Sequence, residues 1–279
     1  MKPRYWFPFM LNGELDMLEC ALYENYDRVH RFILTEATLT HQGRPKPLYY
    51  DDNQDRFKQY ADKIVHVVCD YLPTREQVAD PWVRERMQRD AGLAAFMPAT
   101  DPDDIVIVSD IDEIPSSAAF EQDPAPYLGG NLYLRFAAVD TPGSPGVMQV
   151  LARAGAVGSI DLLRQRRESF PSYDKAGWHL SWLGGQAAIA EKIECFCHLE
   201  AYDWATRANN ADVMHRYGMG VLPDDGTISP APVLSIPRVS NRFERDALPW
   251  EQQSPMWVHQ RMCPDIWWRP KEERNASSF

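Results

Sequence analysis

Asp110, Asp112 and Glu113 put three carboxylates within four positions, directly after the β-branched run Ile105-Val106-Ile107-Val108 and just before Pro115. Acids this close repel one another, and a divalent cation or a metal–polyphosphate complex among them relieves the repulsion. A buried strand that ends in clustered acids places charge at the carboxyl edge of a sheet, where open α/β proteins bind ligands. Hard cations such as Mg2+ or Mn2+ prefer oxygen ligands, keep waters and take phosphate oxygens from a substrate. One carboxylate then suffices for the metal, and the others hold its waters, meet a ribose hydroxyl or act as a base. The same residue types also serve in turns and as helix N-caps. That plainer reading stands beside the chemical one.

Four further groups carry residues suited to chemistry. Glu36 precedes the loop Thr40-His41-Gln42-Gly43-Arg44-Pro45-Lys46-Pro47, in which Arg44 and Lys46 can meet phosphates through charge-assisted hydrogen bonds. Gly43 gives that loop backbone freedom, and the prolines stiffen its exit. Arg89 ends a basic stretch just before the acidic strand and can contact a nucleotide. Its neighbours Arg86 and Asp90, spaced i,i+4, read as a surface ion pair. Trp178 and His179 lie in a Trp/Gly-rich segment where an aromatic ring can stack on a sugar, although paired tryptophans are equally suited to a core. His198 and Glu200 add an imidazole for a metal and a carboxylate for a base.

The elements that must position these groups follow from periodicity. Residues 5–9, 29–35, 63–69 and 104–109 read as strands, and residues 13–26, 54–60 and 81–97 as helices, the last with proline in its first turn. Strands alternating with helices predict a largely parallel sheet with helices on its faces. Residues 132–139 and 147–153 suggest a hairpin, 177–183 a further strand, and 186–194 and 212–217 helices. No linker divides the chain. It reads as one domain with a nucleotide-binding half over 1–115, an acceptor and metal half over 116–222 and a wrapping tail over 223–279.

Composition excludes several classes. The chain has 279 residues, is 44% hydrophobic and 25% charged, and carries a net charge of −11, so it can build a core but has no basic surface for nucleic acid. No stretch reaches the ~18–20 apolar residues of a membrane span. The amino terminus lacks a signal peptide's apolar core, so a cytoplasmic location is expected. Five cysteines, an odd count, argue against a disulfide framework. Cys195-Phe196-Cys197-His198 hints at zinc. It lacks the usual Cys-x-x-Cys spacing and a second pair, so Cys195, Cys197 and Leu199 read as one buried strand face.

Six segments in order resemble glycosyltransferase family 17: PFMLNGELDMLE at 8–19, EA with THQGRPKPL at 36–37 and 40–48, RMQR at 86–89, SDIDEIP at 109–115, AGWH at 176–179 and CHLE at 197–200. The resemblance implies a GT-A-type, Rossmann-like nucleotide-sugar-binding fold. It also implies an inverting transfer, with N-acetylglucosamine moved from UDP-GlcNAc to a glycan or glycoconjugate acceptor. It would make Asp112 a ligand of Mn2+ or Mg2+, set Asp110 against the ribose or the metal's waters, and let His198 complete the metal site. Glu36, Arg44, Lys46 and Arg89 would face the donor, and Trp178 and His179 the sugar or acceptor. Glu113, Asp174 and Glu200 are the candidate bases. Two other classes stay open. The strand and Asp-x-Asp also resemble the nucleophile motif of haloacid-dehalogenase-type phosphohydrolases, although about 100 residues precede it here and Ile114 stands where Thr or Val is frequent. A catalytically inactive nucleotide-sugar-binding module is the second.

Overall fold

The computed structural model describes residues 2–136, 139–140, 146–180, 191–192, 194–197, 240–250 and 253–256. The chain divides into two compact units: Met1–Tyr133 with Pro145–Gly177 and Cys195–Cys197, and Leu134–Ser144 with Trp178–Glu194 and His198–Phe279.

The first unit is built on β1 (Tyr5–Leu11), α1 (Leu15–Asn25), β2 (Arg31–Ala37) and β3 (Ile64–Cys69). There follow α2 (Pro81–Ala91), α3 (Leu93–Phe96), β4 (Ile105–Val108) and β5 (Glu113–Pro115), then β6 (Tyr127–Phe136), β8 (Gly146–Arg153), α4 (Ile160–Gln165) and β9 (Ser172–His179), while β7 (Val139–Asp140) falls in the second unit. The sheet order is β3-β2-β1-β4-β8-β6-β9-β5. β1 runs parallel to both β2 and β4, with Phe9 opposite Leu34 and Tyr5 opposite Ile105, and β2 runs parallel to β3. β8 lies antiparallel to β4 and to β6. The α/β class is therefore the expected one. The parallel character belongs to the first four strands, and beyond β4 the strands β8 and β6 run antiparallel and form the anticipated hairpin.

β4 is buried along its whole length, as its unbroken β-branched run requires of a strand covered on both faces. Val106 and Val108 pack in one cluster with Trp6, Ile33, Phe96, Val150, Ile160 and Leu163. Each fully buried side chain of this size contributes about 1.5–3 kcal/mol. Ile160 and Leu163, three residues apart on α4, thus seat that helix against β4.

Four local expectations change. The helix expected over 54–60 is a longer 3-10 segment, Asp51–Lys63, broken at Asn53. The helix expected over 81–97 starts as predicted, with Asp80 accepting from the Trp82 amide at 3.0 Å and Pro81 in the first turn, but α2 ends at Ala91. The strand expected at 177–183 begins earlier, at Ser172, because exposed Ser172, Asp174 and Lys175 hide its apolar face. Cys195 and Cys197 do not share a strand. Residues 194–195 are helical and 196–197 form a bend. No helix among the described residues is long and apolar enough to cross a membrane.

Candidate active site

The acidic turn is built by its own third carboxylate. After β4 the chain closes with the Glu113 amide donating to the Asp110 carbonyl at 3.0 Å. The Glu113 side chain folds back over this turn and accepts from the Asp110 amide at 2.8 Å and from Ser109 Oγ at 3.0 Å. Glu113 is buried, and Arg164 of α4 pairs with both of its oxygens. Arg164 also donates to the Met148 carbonyl and, from Nη2, to Asp110 Oδ2 at 2.9 Å. Burial alone would lower the Arg164 pKa, but Asp110 and Glu113 raise it on balance and keep the guanidinium charged. Glu113 is therefore a structural carboxylate. Its expected place as a base gives way to this role, since Arg164, Ser109 and the Asp110 amide hold both of its oxygens.

A second guanidinium meets the turn from α2. Arg89 Nη1 lies 3.4 Å from Asp110 Oδ1, and Arg89 also pairs with Glu85, one helical turn back. Burial works against its charge, and Asp110 and Glu85 outweigh that effect. Arg89 was expected to face a nucleotide. The fold instead buries it against these acids, so it acts on a ligand only through Asp110. Asp110 keeps a third of its side chain exposed, at 34%, whereas Asp112 is buried at 6%. Asp110 thus has its charge balanced twice. Asp110 and Asp112 offer hard oxygen donors of the kind that Mg2+ and Mn2+ prefer.

The sequence did not reveal what fixes the arginines. Asp90 accepts from the Ile160 amide at 2.6 Å, the Asp161 amide at 3.0 Å and Ser159 Oγ at 2.7 Å. A side chain of α2 thereby caps the amino terminus of α4, and the helices bearing Arg89 and Arg164 are held together. The expected Arg86–Asp90 pair is absent from these contacts. Arg86 instead lies 3.5 Å from Asp80. Ser159 before Ile160-Asp161-Leu162 was a legible N-cap signal, but no local pattern shows that a residue 70 positions earlier completes it.

The remaining candidates separate. Glu36 is wholly buried, accepts from the Tyr50 amide at 3.2 Å and lies 3.1 Å from His66 Nε2. It pins the segment after the 40s loop to β2, and its assignment to the donor is corrected accordingly. That loop is a tight turn. The Thr40 amide donates to the Arg44 carbonyl and the Gly43 amide to the Thr40 carbonyl, both at 2.8 Å. Gly43 has φ +80°, and a Cβ there would meet Arg75 at 3.0 Å, so the expected glycine requirement is physical. Arg44 is exposed at the tip. Lys46 turns inward over the Tyr49 ring, 5.2 Å from its centroid, and burial lowers its pKa. Its ammonium has no hydrogen-bond partner there among the described residues.

Asp174 is exposed on β9. Trp178 is buried at 1% and stacks on Trp250 with ring centroids 5.4 Å apart, with the Arg245 guanidinium 5.5 Å from its ring centre. It is core of the second unit and not a sugar platform. His179 follows it, partly buried. His198 and Glu200 lie outside the described residues.

Residues 2–122 match the model of glycosyltransferase family 17. The chain is 25% identical over 252 residues to human beta-1,4-mannosyl-glycoprotein 4-beta-N-acetylglucosaminyltransferase, covering 75% of this chain and 46% of that protein. It is 25% identical over 215 residues to the rat enzyme of the same name, covering 62% and 39%. The chain thus spans less than half the length of these relatives. A solved structure of the glycosyltransferase GlyE of Streptococcus pneumoniae is also similar, with a TM-score of 0.29 and 14% identity over 62% of this chain and 46% of that one. The matched residues are those that build β1 to β5 and the Asp110–Glu113 turn, and over this region the chain is similar to glycosyltransferase family 17.

Proposed function

We propose that this protein transfers a sugar, N-acetylglucosamine, from a UDP-sugar donor to a glycan or glycoconjugate acceptor on a GT-A-type scaffold. The observation that carries the reading is the turn after β4, in which Arg164 and Arg89 balance Asp110 while Asp112 is held one position beyond Ile111. The relatives' names, which specify N-acetylglucosaminyl transfer, support the choice of sugar.

Asp112, aided by Asp110, would hold Mn2+ or Mg2+, which when bound supplies neutralisation of the charge developing on the departing diphosphate. The chain's own residues supply the rest. Glu113 and Arg164 fix the turn so that Asp112 needs no rearrangement during reaction, which is the physical content of preorganisation. Arg44, exposed on its tight turn, supplies a cation to the donor side. The acceptor hydroxyl oxygen bonds the anomeric carbon as the bond to UDP breaks on the opposite face. A carboxylate takes the hydroxyl proton. With Glu113 committed to Arg164, Asp174 and Glu200 are the carboxylates left for that task.

A phosphohydrolase would need Asp110 as a free nucleophile, and two guanidiniums hold it. The test is transfer from UDP-GlcNAc to a panel of glycan acceptors, with Mn2+ and then with EDTA. Metal-dependent product lost in Asp112→Ala supports the reading. Phosphate release from simple esters without any use of nucleotide sugar would overturn it.

A further inference from the structure

One helical turn back from Arg89, three side chains of different chemistry converge within the first unit. His41 comes from the loop after β2, Glu85 from α2, and Cys197 from the short stretch Cys195–Cys197. Their ligating atoms all lie within 4.8 Å of one another, with Glu85 and Cys197 buried. Cys197 Sγ stands 2.8 Å from Glu85 Oε2.

The surroundings hold each of the three in place. Arg84, wholly buried, donates to the His41 carbonyl at 2.6 Å and to the Val78 carbonyl at 2.7 Å, which fixes the loop's backbone. Gln42 Nε2 donates to the Phe196 carbonyl at 2.6 Å and staples that loop to the Cys197 segment, 154 residues away in sequence. Gln88 Nε2 donates to the Thr35 carbonyl at 3.0 Å, which leaves its Oε1, 3.1 Å from His41 Nε2, as an acceptor. His41 must then carry its proton on Nε2 and keep its lone pair on Nδ1, the arrangement that an outer-shell carbonyl imposes on metal-binding histidines. Arg89 occupies one oxygen of Glu85 and leaves Oε2 toward Cys197.

We propose that His41, Glu85 and Cys197 form a zinc site, separate from the hard-cation site at Asp112 and independent of the transfer reading. A sulfur, an imidazole nitrogen and one carboxylate oxygen make a borderline donor set that suits Zn2+ and not Mg2+ or Mn2+. Binding forms the Zn–S bond and releases the Cys197 thiol proton to solvent. Three protein ligands leave one tetrahedral position. The role is a clasp. It ties the loop bearing Arg44 to the Cys197 segment, and through Glu85 and Arg89 it braces Asp110.

Cobalt titration tests the site, with the full chain stripped by EDTA and Co2+ standing in for zinc. A near-ultraviolet thiolate-to-cobalt charge-transfer band should grow and saturate at one equivalent, whatever further Co2+ the carboxylates of Asp112 and Asp110 take. Zn2+ should bleach that band. It should persist in Cys195→Ser and in Asp112→Ala, and vanish in Cys197→Ser and His41→Gln. The wild-type spectrum is decisive whatever the folding of the variants: absence of a thiolate band overturns the site. So does a band that survives in folded Cys197→Ser.

Discussion

Arg164 Nη1 lies 2.8 Å from Glu113 Oε2, and this buried pair turns the third acid of the cluster from a catalytic candidate into the brace of the other two. Removing one partner of a buried pair costs about 3–5 kcal/mol because the other charge is left uncompensated. Arg164→Met should therefore lower unfolding stability by about that amount, and Glu113→Gln should also destabilise, both measured by urea denaturation. A Glu113→Gln protein of wild-type stability that had lost turnover alone would restore Glu113 as a base.

Asp90 joins α2 to α4. Asp90→Ala removes the acceptor for two backbone amides and Ser159, and should cost about 1–2 kcal/mol, the range of a lost helix cap. Transfer should fall too, because Arg164 rides on α4. Arg86→Ala, whose side chain is exposed against Asp80, should stay within about 0.5 kcal/mol of wild type. Equal effects from the two variants in thermal unfolding would contradict the capping role.

Asp104 anchors β4 to β1. Burial would raise its carboxyl, but hydrogen bonds from Arg4, the Trp6 indole and the Asp101 amide hold it at about 2. A depressed carboxylate contributes stability that is complete above its ordinary value of 3.8 and is lost as pH falls towards about 2. The wild type should therefore lose about 1–2 kcal/mol more than Asp104→Asn between pH 5 and pH 2. Parallel stability curves for the two proteins would refute the assignment.

Gly177 lies where β9 passes β5, and a Cβ there would come within 2.1 Å of the Ile114 carbonyl oxygen. Gly177→Ala must push apart the strand that follows the acidic turn. It should lower the melting temperature by many degrees, whereas Gly158→Ala, with open space around it, should barely move it. Calorimetry on the pair checks this.

The legible parts of this protein were those written in short windows. β4 declared itself by four β-branched residues, α2 by Asp80 and Pro81, and the Gly43 turn by its glycine between polar neighbours. The partners were not legible, because they come from distant residues. Glu113 looked like Asp110 and Asp112 until Arg164 arrived from 51 positions away. Glu36 and Arg89 carried the right charges for a donor site, and the fold sets them against the Tyr50 amide and Asp110. Trp178 had the composition of a sugar platform and the burial of a core residue, a distinction that only packing against Trp250 decides.

On the proposed function, Asp112 holds the metal that carries a nucleotide diphosphate. Calorimetric titration of UDP and UDP-GlcNAc into the protein, with Mn2+ and then with EDTA, tests it most directly. Saturable binding with Mn2+ is expected, abolished by EDTA and lacking in Asp112→Ala that remains folded. Binding of UDP that is indifferent to metal, or that Asp112→Ala retains in full, would contradict it.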